Sequence, residues 1–207
     1  IDFVDATNQR VLQVLPINDT TTTHSWTDSY PYSCISIFAL HPQYCDLRQL
    51  PKLNDTQVQA EFDALQEELN ALPTIDYERV NNEKMRYLHL LFAQEGSKAL
   101  ASEAFKNFFK KTEKWLVPYA YFCHLREQYG EPNFNLWPAN KQWDEADRKK
   151  LTSPRNKIYQ QVAFYYYVQF LLHSQMVAAH DYARSKRIIL KGDIHIGVSR
   201  NGCDVWK

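Results

Sequence analysis

The sequence predicts an α/β chain with an incomplete sheet. Two short apolar runs rich in β-branched residues stand near opposite ends, at Val11-Leu-Gln-Val-Leu15 and Arg187-Ile-Ile-Leu190. About five helical stretches fill the interval between them, and a long polar loop follows the first run at once. A two-stranded sheet is marginal by itself. Two readings therefore stand: a mainly helical domain with a small β element, or strands of a larger parallel barrel of which most is absent.

Taken in order, Ile1-Asp-Phe-Val-Asp-Ala-Thr7 lacks an initiator methionine and reads as the tail of an amphipathic helix already under way. Asp204-Val-Trp-Lys207 stops without a capping signal, so the chain is expected to be cut from something larger. Val11 to Leu15, ended by Pro16, has the pattern of a buried strand covered by helices. From Asn18 to Tyr32 the residues are polar or small, with four consecutive threonines, and Ser29-Tyr-Pro-Tyr-Ser33 cannot continue a helix through Pro31. Long loops at the carboxyl ends of buried strands are where α/β proteins place binding residues.

Leu50 to Leu72 opens on the capping residues Asn54 and Asp55. It sets Val58, Phe62, Leu65, Leu69 and Leu72 on one face. Pro73 ends it. A second helix is expected from Asp76 to Gly96, a third from Ser97 to Leu116, a fourth from Pro118 to Tyr129 ended by Gly130, and a fifth from Ser153 to Arg184. The fifth is apolar on more than one face and should be heavily buried. Arg187 to Leu190 then reads as the second buried strand, running into Lys191-Gly-Asp-Ile-His-Ile-Gly-Val198.

Composition removes several classes of function. Lys plus Arg and Asp plus Glu are both 24, which gives no electrostatic reason for a nucleic-acid or anionic-membrane partner. No run of about 18 apolar residues and no secretory leader is visible. Cys34, Cys45, Cys123 and Cys203 show no zinc or redox spacing and read as reduced core thiols of a cytoplasmic protein. Asn18 and Asn54 each begin a glycosylation-type triplet, read as chance matches. No metal and no cofactor is expected. The 14% aromatic content suits stacking on sugar faces as well as an aromatic core.

Six segments in order carry a resemblance: Gln13-Val-Leu-Pro-Ile17; Asp28-Ser-Tyr-Pro-Tyr-Ser33; Phe38-Ala-Leu-His-Pro42 with Asp46-Leu47; Ile75-Asp-Tyr-Glu-Arg-Val80; Leu136-Trp-Pro138; and Leu190-Lys-Gly-Asp-Ile-His-Ile-Gly-Val198 with Asp204-Val-Trp206. Together they resemble glycoside hydrolase family 77, the 4-α-glucanotransferases of the amylomaltase type. The resemblance implies the first strands of an incomplete (β/α)8 TIM barrel with a large inserted helical subdomain. Residues 1–50 would hold the first strand and substrate loop, 51–152 the helical subdomain, and 153–207 the long helix and the following strand, all of one catalytic domain. It also implies transfer of α-1,4-glucan segments between maltooligosaccharides with retention, which needs two carboxyl groups about 5 Å apart. The family's nucleophile segment does not occur here. No catalytic carboxylate is assigned, and the isolated chain is expected to be inactive.

What the resemblance places in this chain is part of a substrate-binding wall. Tyr32 matches the loop tyrosine that stacks on the donor sugar, the alternative being a tyrosine packed on the barrel rim. Asp193 matches an aspartate supporting the active-site network, the alternative being a loop cap. Asp28 and Ser29 match the family's loop motif with Tyr30 as one extra residue. Trp26 and Trp206 are sugar platforms or core residues. His195 stands where the family has proline and is read as loosening the strand end; Gly202-Cys203 replaces a more typical serine and small apolar residue. The partner implied is a maltooligosaccharide or α-1,4-glucan. Self-association through open barrel edges is expected of the chain alone. A non-catalytic glucan-binding or helical interaction module is the competing reading.

Overall fold

The computed structural model describes residues 1–207, and helices dominate it. The order is α1 (Asp2–Ala6), β1 (Val11–Gln13), α2 (Thr56–Asn70), α3 (Tyr77–Ala101), α4 (Glu103–Tyr129), α5 (Arg148–Thr152), α6 (Lys157–Ser185), β2 (Ile189–Lys191) and α7 (Cys203–Trp206). Between β1 and α2 the chain makes short 3-10 turns, at Trp26–Ser29, Pro42–Tyr44 and Leu47–Gln49, and one isolated antiparallel bridge between Asn18 and Leu40.

β1 and β2 pair in parallel, with Val11 opposite Ile189, Leu12 opposite Leu190 and Gln13 opposite Lys191. Parallel pairing needs a long crossover, and here the crossover is nearly the whole chain. Both carboxyl ends, and the loops that leave them, therefore lie on one side. Buried strands were expected; the structure corrects this. Leu12 and Leu190 face a small cluster of Val4, Ala183 and Ile188, but Val11 is 49% exposed, Leu15 59% and Ile189 63%. Helices cover one face of the pair and nothing in the chain covers the other.

The core lies between α4 and α6. Leu116, Val117, Ala120, Phe122, Val162, Ala163 and Tyr166 are fully buried there, with Ile35 and Ala39 from the amino-terminal segment and Trp206 from α7. α6 is buried on several faces over its first half, from Tyr159 to Leu172, as its all-round apolar pattern demands. All four cysteines are free and buried. No helix is long and apolar enough to cross a membrane.

Helix starts agree with their capping residues. The Asp55 carboxylate accepts from the Gln57 and Val58 amides, and Asp76 from Arg79. Each such cap contributes about 1 kcal/mol. Two expected helix breaks are absent. Gly96 is buried within α3, which runs on to Ala101; its missing side chain leaves room for the Phe92 ring. Pro118 lies inside α4. The carbonyl that Pro118 leaves without its i−4 donor, that of Lys114, accepts from Lys207 Nζ at 3.3 Å.

Candidate functional site

The loop leaving β1 and the tail leaving β2 meet. The Tyr32 hydroxyl donates a 2.6 Å hydrogen bond to Oδ2 of Asp193, and the Asp193 Oδ1 accepts the Ile194 amide at 2.9 Å. Asp193 is thereby held below the usual carboxylate range, first by the Tyr32 bond and then by that amide, while the same bond pushes the tyrosine up. A carboxylate with one oxygen engaged by a phenol and lone pairs left over is an acceptor for sugar hydroxyls.

A second rung crosses the same gap. Asn18 donates its side-chain amide to the Ile37 carbonyl at 2.8 Å, which turns its oxygen toward His195, 2.7 Å from Nε2. His195 must then carry its proton on Nε2. The expectation that histidine loosens the strand end is corrected: the ring ties β2's tail to β1's. Its Nδ1 is buried without a partner, and burial lowers its pKa.

Asp28 is only 5% exposed, and its carboxylate points into its own loop rather than outward. Oδ2 accepts the amides of Thr22, Thr23 and His24 at 2.9, 2.9 and 2.7 Å, and Oδ1 accepts the Thr23 hydroxyl at 3.1 Å. Thr20 Oγ1 closes the turn by donating to the Asp28 carbonyl at 2.5 Å. Asp28 therefore shapes the loop that presents Ser29, which is exposed on its rim, and Tyr32. Trp26, 69% exposed, lies on the same loop.

Trp206 is corrected outright as a surface platform. It is 1% exposed, its indole N–H donates to the Asn140 carbonyl at 2.7 Å, and its ring packs among Phe122, Trp137 and Trp143. The neighbouring departure, Gly202, has a packing reason: a Cβ there would lie 2.8 Å from the Ile35 backbone. The Asp204 carboxylate in turn accepts the Ile37 amide at 2.7 Å.

Several residues that tie the amino-terminal segment to the helices escaped sequence reading. Tyr119 on α4 donates to the buried Asp19 at 2.6 Å. Gln169 on α6 bonds both the amide and the carbonyl of Leu40, and Gln175 does the same for Asp46. His41 and Tyr77, from two of the six segments, bond at 2.7 Å. Polar residues recurring on an otherwise apolar helix were the available signal. A cleft of about 650 Å3 lies elsewhere, between the Pro42–Gln49 turns and α2 and α3; neither Tyr32 nor Asp193 lines it. One wall does not make a cavity. No group of three or more metal-ligating side chains is gathered anywhere.

The pattern of glycoside hydrolase family 77, described as 4-alpha-glucanotransferase, matches residues 1–207. The chain belongs to this family. Among 4-alpha-glucanotransferases, it is 36% identical to DPE2 of Oryza sativa subsp. japonica over 206 residues, covering 100% of this chain and 22% of that one. It is 31% identical to the enzyme of Chlamydia pneumoniae, covering 95% of this chain and 36% of that one. The fold matches amylomaltase from Streptococcus agalactiae, solved in complex with acarbose, with a TM-score of 0.73 at 20% identity, over 100% of this chain and 40% of that one. The family-77 chain described here thus spans between about a fifth and two-fifths of the length of these relatives.

Proposed function

We propose that this chain is the first part of the catalytic domain of a 4-α-glucanotransferase, and that Tyr32 and Asp193 form one wall of its donor-sugar site. In this reading β1 and β2 are neighbouring strands of a parallel barrel, and 51–152 is the helical subdomain inserted between them. The enzyme moves an α-1,4-glucan segment from a donor to the 4-hydroxyl of an acceptor, with retention. The Tyr32 ring stacks on the sugar beside the scissile bond, and its hydroxyl is anchored by Asp193 so that the ring plane is set before substrate arrives. Asp28 acts through the loop, by holding the turn that positions Pro31 and Tyr32. Ser29 lies on the rim within reach of solvent hydroxyls.

The observation that carries this reading is the 2.6 Å bond between Tyr32 and Asp193, since two segments matched to one family's active-site motifs meet side by side. The support from relatives is their name, 4-alpha-glucanotransferase. The nucleophile and acid/base carboxylates required for retention are not assigned to any residue of this chain, so the chain alone should not turn over. The test uses the full-length protein with maltotriose: glucose and longer maltooligosaccharides are expected, and a folded protein that yields neither overturns the proposal.

A further inference from the structure

Three formally charged residues are buried in this chain, Asp19, Asp28 and Arg126, and all three sit where the 18–33 loop meets α4. Burying a charge is costly unless it is partnered, so their convergence needs a reason. Arg126 lies in the last turn of α4, with its side chain 6% exposed. Its Nη1 donates to the Thr21 carbonyl and its Nη2 to Oε1 of Glu127 at 3.2 Å. The same Glu127 oxygen lies 2.7 Å from His24 Nε2, so the two ends of the threonine turn are held from one helix end. Between them the turn wraps the Asp28 carboxylate through the amides of Thr22, Thr23 and His24. On the side of Asp19, Tyr119 of α4 bonds one carboxylate oxygen and the Thr21 amide the other. The loop is thus a rigid body bolted to α4. Its only guanidinium bolt lines a polar cavity of about 230 Å3 with Asp19, Thr21, His24 and Tyr119.

We infer that Arg126 is a positioning residue for the sugar site, holding the 18–33 loop on α4 so that Tyr32 reaches Asp193. The inference rests on the proposed function above. Arg126 touches Thr21 and Glu127, and neither Tyr32 nor Asp193; its effect on substrate travels through the loop. A ring displaced by about 1 Å can cost on the order of 100-fold in rate, whereas a residue that merely stabilises the fold lowers the melting temperature without changing the folded enzyme's kinetics.

The experiment compares Arg126→Met and Arg126→Lys with wild type in the full-length enzyme, using maltotriose disproportionation well below each variant's melting temperature. The expected result is a fall in kcat/KM of about 10- to 100-fold for Arg126→Met, with most of it restored in Arg126→Lys, which keeps one donor for Thr21. Faster amide hydrogen exchange at Thr22–His24 should accompany the loss. Wild-type kinetics in a folded Arg126→Met overturn the inference while leaving the proposed function standing. If Arg126→Met does not fold, Arg126→Gln, too short to bond Thr21 and Glu127 together, takes its place: a kinetic loss supports positioning, and unchanged kinetics overturn it. An inactive wild-type enzyme would instead remove the functional reading on which the inference rests.

Discussion

Tyr32 and Asp193, 161 residues apart in sequence, share a 2.6 Å hydrogen bond that joins the loop after β1 to the tail of β2. Breaking it should matter more for sugar binding than for folding, because both side chains lie at the edge of the structure. Asp193→Asn in the full-length enzyme is expected to weaken maltotriose binding by about tenfold, and Tyr32→Phe by less, since the ring face remains. Tyr32→Ala should be the most damaging of the three. Titration calorimetry checks the order; equal affinities for Tyr32→Ala and wild type would remove Tyr32 from the site.

Trp206 makes the opposite prediction. Its ring is fully enclosed by Phe122, Trp137 and Trp143, so Trp206→Ala should cost about 3–5 kcal/mol of stability. Maltooligosaccharide affinity per folded molecule should not change. Urea unfolding gives the first quantity. A selective loss of affinity at unchanged stability would contradict the core assignment.

His41 gives the acid dependence. Burial is the chief influence on it and lowers its pKa from the ordinary value of about 6.5, against the opposing pull of Asp19 and Asp28; Lys84 and His24 act in the same sense as burial. Its Nδ1 accepts the Gln43 amide at 3.1 Å, and its Nε2 meets the Tyr77 hydroxyl, so protonation would cost an acceptor. With the folded pKa below the unfolded one, the contribution is complete above pH of about 6.5 and is lost as pH falls through the folded value. His89, His124, His173 and His195 shift in the same direction through burial. Melting temperature should therefore drop between pH 7 and 5. His41→Asn should be less stable at pH 7 but show a shallower slope, which differential scanning calorimetry can read; an unchanged slope would exclude His41 as a contributor.

The uncovered face of the β1–β2 pair predicts association of the chain on its own. On that pair Val11 and Ile189 are 49% and 63% exposed, and beyond the strand ends Leu15, Ile194 and Ile196 are 59%, 83% and 95% exposed. Both outer strand edges are also unpaired. Sedimentation velocity should show concentration-dependent oligomers, reduced by the pair Ile189→Lys and Ile196→Lys. A monomer at all concentrations, with cooperative unfolding, would count against the open-barrel reading.

Much of the molecule was legible beforehand, for local reasons. Asp55 and Asp76 mark helix starts because a carboxylate caps free amides without help from distant residues. The all-round apolar first half of α6 had to be interior. The motif around Asp28, Pro31 and Tyr32 and the one around Asp193 could be matched to a family because each is contiguous. Gly96 and Pro118 misled for the converse reason: whether they end a helix depends on what packs beside them, and the Lys207 donor that meets the Lys114 carbonyl is remote in sequence.

By itself, then, the sequence determined the family, the helical middle and the two strand segments, since these follow from contiguous residues, periodicity and caps. Only the tertiary structure decided that Tyr32 bonds Asp193, that His195 clamps Asn18, that Arg126 bolts the loop to α4, and that Trp206 turns inward. Each is a pairing between residues far apart along the chain. Such pairings depend on how helices pack and where a parallel crossover brings the strands back, which no local pattern encodes.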